Sequence, residues 1–336
     1  MRELEARAPG SVHVPVEDEM NARIQRAGVL LWIFLTAGLL WHLGVRGPGA
    51  LNIAVLLILL FALPILLAVQ FLLMTRANSG RHPATIAAAD VGEGDVSGGS
   101  PGRAAVLRAY RRELGTALRV FAWRQPFRAA SEPDTDSDAD ARGRGVVLVH
   151  GFGCNRALWL TWLQRLRLQR RTFVAVTLEP PWGPIERYVG TIEEAVARVE
   201  QRTGLAPVMV AHSMGGLAAR AWWATTRPQR IHRLITLGTP HHGTALAVAA
   251  LLPNVRQMQR GNPWLRRLAD ADGPERRART SCFWSWCDNI VFPAETGRLE
   301  GAASHALDDV AHVHMVWHPR PWAELQHWLD SSAPGP

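Results

Sequence analysis

The chain has 336 residues, enough for one large domain with an appendage but a squeeze for two or more full-sized domains. Lys and Arg number 37 against 29 Asp and Glu, a net charge of +8 that favours anionic partners. A phospholipid surface is expected before nucleic acid, because the sequence holds long apolar segments and no nucleic-acid motif. Cys154, Cys282 and Cys287 are odd in number and in no metal-ligand spacing, which argues against a disulfide framework and suits a reducing compartment.

In chain order, residues 1–26 form a mixed-charge N-terminal segment. Residues 27–45 (AGVLLWIFLTAGLLWHLGV) and 50–74 (ALNIAVLLILLFALPILLAVQFLLM) carry no formal charge, and each is long enough to cross a hydrocarbon core of about 30 Å as a helix. Only RGPG (46–49) separates them, so they read as a tight hairpin over 27–75 whose two ends face the same side. Pro64 should at most kink the second helix, and Trp32 and Trp41 can sit at the interfaces. Arg23 and Arg26 precede the hairpin and Arg76 and Arg81 follow it, against Arg46 alone in the turn, so the termini are expected on the cytoplasmic side. A cleaved signal peptide fits less well, because no small-residue cleavage site closes the apolar run.

Residues 76–103 read as a flexible linker rich in Gly, Ser, Ala and Asp, ahead of a domain over 104–330. Residues 103–118 set Arg108, Arg111 and Arg112 among Val106, Leu107, Tyr110, Leu114 and Leu118, a basic amphipathic helix read as an ordinary surface helix rather than a headgroup contact. Asp134, Asp136, Asp138 and Asp140 alternate like the opening of a calcium loop. Ala139 and Gly145 stand where such a loop needs Gly and Glu, so a solvated loop is the reading. From 145 onward, short apolar runs at 145–151, 172–180, 206–213 and 233–240 alternate with helical stretches at 191–202 and 216–226. Such runs predict a doubly wound, mostly parallel α/β sheet covered on both faces, with its site at the carboxyl ends of the strands.

AHSMGG (211–216) stands where one of these strands gives way to a helix. A serine on that sharp bend is pushed out of the sheet at the positive end of the following helix, and a hydroxyl there needs a base and an orienting carboxylate to become a nucleophile. Three further motifs follow the same order: HGFG at 150–153, TLGTPHHGT at 236–244, and the pair CDNIVFP and AHVHMVWHP near the end.

Together these four motifs make residues 145–329 resemble the α/β-hydrolases, in particular bacterial lipases and esterases and the GPI inositol-deacylase-like hydrolases. The first 100 or so residues have no counterpart in the resemblance. Ala211 departs from the general Gly-x-Ser-x-Gly pattern, as it does in some bacterial lipases. The resemblance implies Ser213 as nucleophile, Asp288 as acid, with Asp308 and Asp309 as fallback, and His312 as base, with His314 as the alternative. It implies an oxyanion hole from the backbone N–H groups of Phe152 and Met214, with His150 ordering the loop. His212 and His241 are expected to have structural roles, His318 to cap a helix, and Asp270 and Asp272 to be loop residues.

Residues 244–280 break the strand and helix alternation and read either as a mobile cap over an acyl pocket or as a segment that completes the core. Trp159, Trp162, Trp182, Trp222 and Trp223 either line that pocket or pack in the interior. The reaction implied is acyl transfer to Ser213 and hydrolysis by water, with no metal or organic cofactor. The substrate would be a carboxylic ester, lipid-derived given the hairpin and the basic charge. The partners would be that ester and a bilayer of bacterial cytoplasmic-membrane type, with the catalytic domain facing the cytoplasm. The oligomeric state is open. A thioesterase, an acyltransferase and a catalytically silent membrane-anchored scaffold are the alternatives.

Overall fold

The computed structural model describes residues 20–47, 49–80, 101–135 and 143–331. Most of the linker, the aspartates at 136, 138 and 140, and Arg81 lie outside them. Helices α1 (Met20–Arg46) and α2 (Ala50–Asn78) form an antiparallel pair, joined in part by the Trp32 indole N–H, which donates to the Leu59 carbonyl at 3.0 Å. Both are long and apolar enough to cross a membrane. Each runs further than its uncharged stretch, α1 starting before residue 27 and α2 continuing through Asn78. The added turns dock on the rest of the chain: Asn21 and Ala22 are buried at one root, and Phe71, Met74 and Asn78 at the other. Large apolar side chains between the roots, such as Phe34 and Ile58, stand exposed. Pro64 sits inside α2 without ending it.

Helix α3 (Arg103–Ala117) runs on through a π-helical stretch (Leu118–Arg124) into the domain. There β1 (Val146–Val149), α4 (Leu160–Leu168), β2 (Phe173–Ala175), α5 (Val189–Thr203), β3 (Val208–His212), α6 (Met214–Ala224) and β4 (Arg233–Leu237) follow in turn. The chain closes with α7 (Pro263–Ala278), β5 (Thr280–Trp284), β6 (Ala303–Ala306) and α8 (Pro319–Asp330). The six strands pair in the order β2-β1-β3-β4-β5-β6, every ladder parallel. Strand β6 has only one-sided burial and no apolar run, which is why periodicity passes over it.

Alternation along the strands divides the core into two layers. Val147, Val149, Met209, Ala211 and Leu234 face a layer with α5, α6 and α7. Val146, Leu148, Val208, Val210 and Ile235 face the other layer, with α4, α8 and Val120. Trp159, Trp162, Trp222 and Trp223 are buried within these layers, so they are packing residues, whereas Trp182 is exposed.

Of residues 244–280, α7 sends Trp264, Leu265 and Leu268 into the layer shared with α6 and serves as the crossover helix from β4 to β5. Leu246, Val248, Leu251 and Leu252 of the same stretch stand exposed. Strand order reverses between β1 and β3, where Val149 pairs with Ala211, so the loops that follow them emerge side by side.

Candidate active site

Ser213 directly follows β3 with φ 56° and ψ −130°, a positive-φ conformation that a side chain adopts at a cost of order 1–3 kcal/mol. The surroundings impose it. The Ser213 N–H donates to the Leu237 carbonyl at 2.8 Å, and the Gly216 N–H turns back to the Ser213 carbonyl at 3.0 Å. Helix α6 leaves the strand at close quarters: a Cβ on Gly215 would stand 2.4 Å from the His150 carbonyl oxygen, and one on Gly216 would stand 2.1 Å from Thr239 Oγ1. Ser213 is thereby fixed at the first turn of α6, where the helix favours negative charge.

Asp288 follows β5 and is buried. Its Oδ1 accepts the N–H groups of Ile290 (2.9 Å) and Val291 (2.8 Å), leaving Oδ2 for His312 Nδ1 at 3.0 Å. This contact assigns the imidazole tautomer, with Nδ1–H donating to the carboxylate and Nε2 left as an acceptor. Burial pushes the His312 pKa down, but the charge and hydrogen bond of Asp288, with Glu113 behind it, outweigh burial and leave it raised.

His212, next to Ser213, lays its ring 4.6 Å from that of His312 and donates from Nε2 to the His312 carbonyl at 3.1 Å. Gly238, one residue past the carbonyl that holds Ser213, would place a Cβ 3.0 Å from both Asp288 Oδ2 and His312 Nδ1. The serine, histidine and aspartate therefore share one neighbourhood. Among the described residues there is no direct Ser213–His312 hydrogen bond. Such bonds commonly tighten only when substrate is bound.

The loop carrying His312 is fastened through its backbone. Asn289 Oδ1 accepts the His312 N–H at 3.2 Å, and the two carboxylate oxygens of Glu113 accept the N–H groups of Val313 and His314, each at 2.9 Å. Glu113 is buried on α3, and burial lifts its pKa to about 7 against the pull of those two donors and of His312. Sequence reasoning missed it. The expected stripe was 106, 107, 110, 114 and 118, whereas the buried face of α3 carries Ala109, Glu113, Thr116 and Ala117. An acidic residue at helical spacing from Ala109 and Thr116 was the available signal.

Beside Ser213, where a Cβ on Gly151 would stand 2.7 Å from Ser213 Cβ, the Phe152 and Met214 N–H groups have no acceptor among the described residues. Their loop is set by His150, which is buried and neutral, its pKa lowered by burial to about 4. Its Nδ1–H donates to the Gly151 carbonyl at 2.8 Å and its Nε2 accepts the Leu178 N–H at 2.9 Å.

The other candidates are placed elsewhere. His314 Nδ1 lies 2.9 Å from Thr116 Oγ1, Asp309 pairs with Arg108, Asp308 is exposed, and His318 caps α8 by accepting the Arg320 N–H. Asp272 corrects the expectation of a loop residue. It is buried on α7 and pairs with the buried Arg220 at 2.6 Å, while Arg220 also donates to His241 Nδ1 at 3.1 Å. A charge so enclosed needs this partner, and the partner lies 52 residues away, outside the reach of any local pattern. The three cysteines are buried and unpaired, and burial pushes their thiols up to about 11 to 12, so they are packing thiols.

Residues 145–283 match the family model of the alpha/beta hydrolase fold, and the sheet order and strand-to-helix elbow are those of that fold. Over these residues the chain has the α/β-hydrolase fold. Among solved structures it is similar to the mature lipase of Bacillus licheniformis, with 18% identity, a TM-score of 0.48, and coverage of 59% of this chain and 95% of that one. For Aspergillus fumigatus lipase B the values are 17%, 0.49, 60% and 57%. For the monoacylglycerol lipase of Paleococcus ferrophilus they are 14%, 0.40, 56% and 96%. No curated protein matches the chain. At these identities and TM-scores the likenesses say nothing of the reaction.

Proposed function

We propose that the chain is a membrane-anchored serine hydrolase that cleaves carboxylic esters of lipid origin through an acyl-enzyme on Ser213. One observation carries this reading: His312, its Nδ1–H committed to Asp288, leaves Nε2 as an acceptor in the neighbourhood of a serine held on a strained elbow. Ser213 Oγ attacks the acyl carbon as its proton passes to His312 Nε2. Negative charge gathers on the former carbonyl oxygen, where the Phe152 and Met214 N–H groups are free to receive it. The imidazolium returns its proton to the departing alcohol. Water, deprotonated by the same nitrogen, then releases the acid.

The apolar hairpin and the basic charge balance support a bilayer-resident substrate. The excess of arginine beside the hairpin ends supports both termini on the cytoplasmic side of a bacterial-type membrane. Residues 244–258 of the cap segment, with exposed Leu246, Val248, Leu251 and Leu252, supply an apolar surface for an acyl chain. Labelling by a fluorophosphonate probe tests the reading: the natural chain should label and Ser213→Ala should not. Equal signal from both would sink it. A labelled enzyme that cleaves only short soluble esters would remove the lipid substrate and leave the hydrolase.

A further inference from the structure

The two roots of the hairpin meet the domain at places that matter to the site. At the α1 root, the Asn21 side-chain amide donates to the Cys154 carbonyl, and its backbone N–H donates to Glu179 Oε1 at 2.9 Å. One turn on, Gln25 Nε2 donates to the Gly153 carbonyl at 2.8 Å. Gly153 and Cys154 directly follow Phe152. At the α2 root, Asn78 Nδ2 donates to the Trp286 carbonyl at 3.1 Å, and its Oδ1 accepts the Ala294 N–H at 3.0 Å, on either side of Asp288. Gln70 Oε1 accepts from Asn289 Nδ2 at 2.8 Å, and the Oδ1 of that same Asn289 accepts the His312 N–H at 3.2 Å. A single side chain therefore links α2 to the candidate base. Phe71 and Met74 pack with Cys287, Phe292 and Ala311, residues beside Asp288 and His312.

Helix lengths agree with this division. At 1.5 Å per residue, 27 and 29 residues span about 40 and 43 Å, about 10 and 13 Å beyond a hydrocarbon core of about 30 Å. The surplus of roughly seven to nine residues in each helix matches the docked turns, 20–26 and 70–78. A simple tether would need no polar contacts there. It would also spare the chain the cost of burying Asn21 and Asn78, which is repaid only because both are hydrogen-bonded.

We infer that the hairpin is a working part of the active site: its α1 root positions the oxyanion loop through Asn21 and Gln25, and its α2 root positions the acid and base loops through Gln70 and Asn78. The inference rests on the serine-hydrolase reading above. These are positioning residues, acting through the Phe152 loop and through Asn289. Their loss lowers turnover even on a substrate that has no need of a membrane.

The test uses the full chain in nanodiscs or detergent with p-nitrophenyl butyrate, a short soluble ester. Gln70→Leu should lower kcat about tenfold with KM within about twofold, because a small misplacement of catalytic groups costs rate rather than affinity. It should also move the acid limb of the pH profile downward, since a loosened Asp288 contact leaves burial to depress the imidazole. Gln70→Glu keeps an acceptor oxygen for Asn289 and should restore most of kcat. Asn21→Ala with Gln25→Ala should lower kcat by a similar factor and leave the pH limb in place, because the oxyanion loop carries no titrating group of the reaction. Ile58→Ala, on an exposed face of α2, is the control.

The inference is overturned if Gln70→Leu and the Asn21/Gln25 pair both keep the kcat of the control, or if Gln70→Glu falls as far as Gln70→Leu. Because all variants retain Ser213, wild-type fluorophosphonate labelling tells a failure of this inference from a failure of the hydrolase reading.

Discussion

The elbow at Ser213 and the loop at His312 meet at one site, yet they are built in opposite ways. The elbow's pattern is local: Ser213 and the small residues at 211, 215 and 216 lie within six positions at the junction of β3 and α6, and neighbouring strand ends close around them. The His312 loop holds no regular strand or long helix. Its backbone hangs on Glu113, about 200 residues earlier, and on Asn289, 23 residues earlier and itself tied to Gln70. A constellation whose parts differ so much in origin should fail differently at each part. On the proposed mechanism, damage at the elbow removes the nucleophile, whereas damage around the histidine loop leaves a serine that is present and poorly served.

The largest test of this contrast after the nucleophile itself is Asp288→Asn. The amide offers an N–H to His312 Nδ1 and favours the wrong tautomer, so kcat should fall by about ten-thousandfold, the loss typical of such a change. The pH profile carries a second readout. The proposed mechanism needs neutral His312, whose pKa is raised above the ordinary 6.5, so activity should fall as pH drops through a value above 6.5. In Asp288→Asn burial is opposed by the Glu113 charge without Asp288, and the limb should move to lower pH. A limb that stays in place would separate Asp288 from the base.

Glu113→Gln comes next and probes the distant support alone. Its NH2 must face either the Val313 or the His314 N–H, leaving one buried donor without a partner, at a cost of about 1–3 kcal/mol. We expect kcat down about tenfold as the loop loosens, with Ser213 still labelled by the probe. The stability curve should change shape too. A carboxyl whose pKa is 4.5 when free and about 7 when folded holds its proton more tightly in the native state. Its contribution is therefore complete below 4.5 and is lost as pH rises through about 7. The natural protein should lose stability across that window, and Glu113→Gln should flatten the decline in denaturant midpoints. An unchanged slope would show that Glu113 is ionised throughout.

The same contrast sets what was legible from the sequence. The parallel sheet and the elbow were open to reading because apolar runs, small residues and motif order are local facts. The members of the proposed triad could be named one by one on resemblance. What held them in place could not, since Glu113 sits on a helix whose many arginines draw the eye to its solvent face. Gln70 is, with Asn52, one of two polar positions in an apolar run, and its meaning depends on Asn289, 219 residues away. Strand β6 and the buried Asp272 escaped for the same reason: their environment comes from partners rather than from pattern.

The smallest expected effect discriminates most sharply between two histidines that lie two residues apart. His314 shares the loop with His312, and a two-residue shift in motif alignment would exchange their roles. Their surroundings differ. His314 turns to Thr116 on α3 and is half-buried, its pKa lowered by burial and then by Arg112, His318 and Arg119, while Asp288 faces His312 alone. The tie from its loop to Glu113 runs through the His314 backbone N–H, which every substitution keeps. His314→Gln should thus cost only the side-chain hydrogen bond, about 1 kcal/mol, visible as a melting shift of roughly 2–4 °C. Turnover and the acid limb should stay as in the natural enzyme. Loss of turnover in His314→Gln, with His312→Gln still active, would move the base two residues along the chain and leave the Asp288–His312 pair as support rather than catalyst.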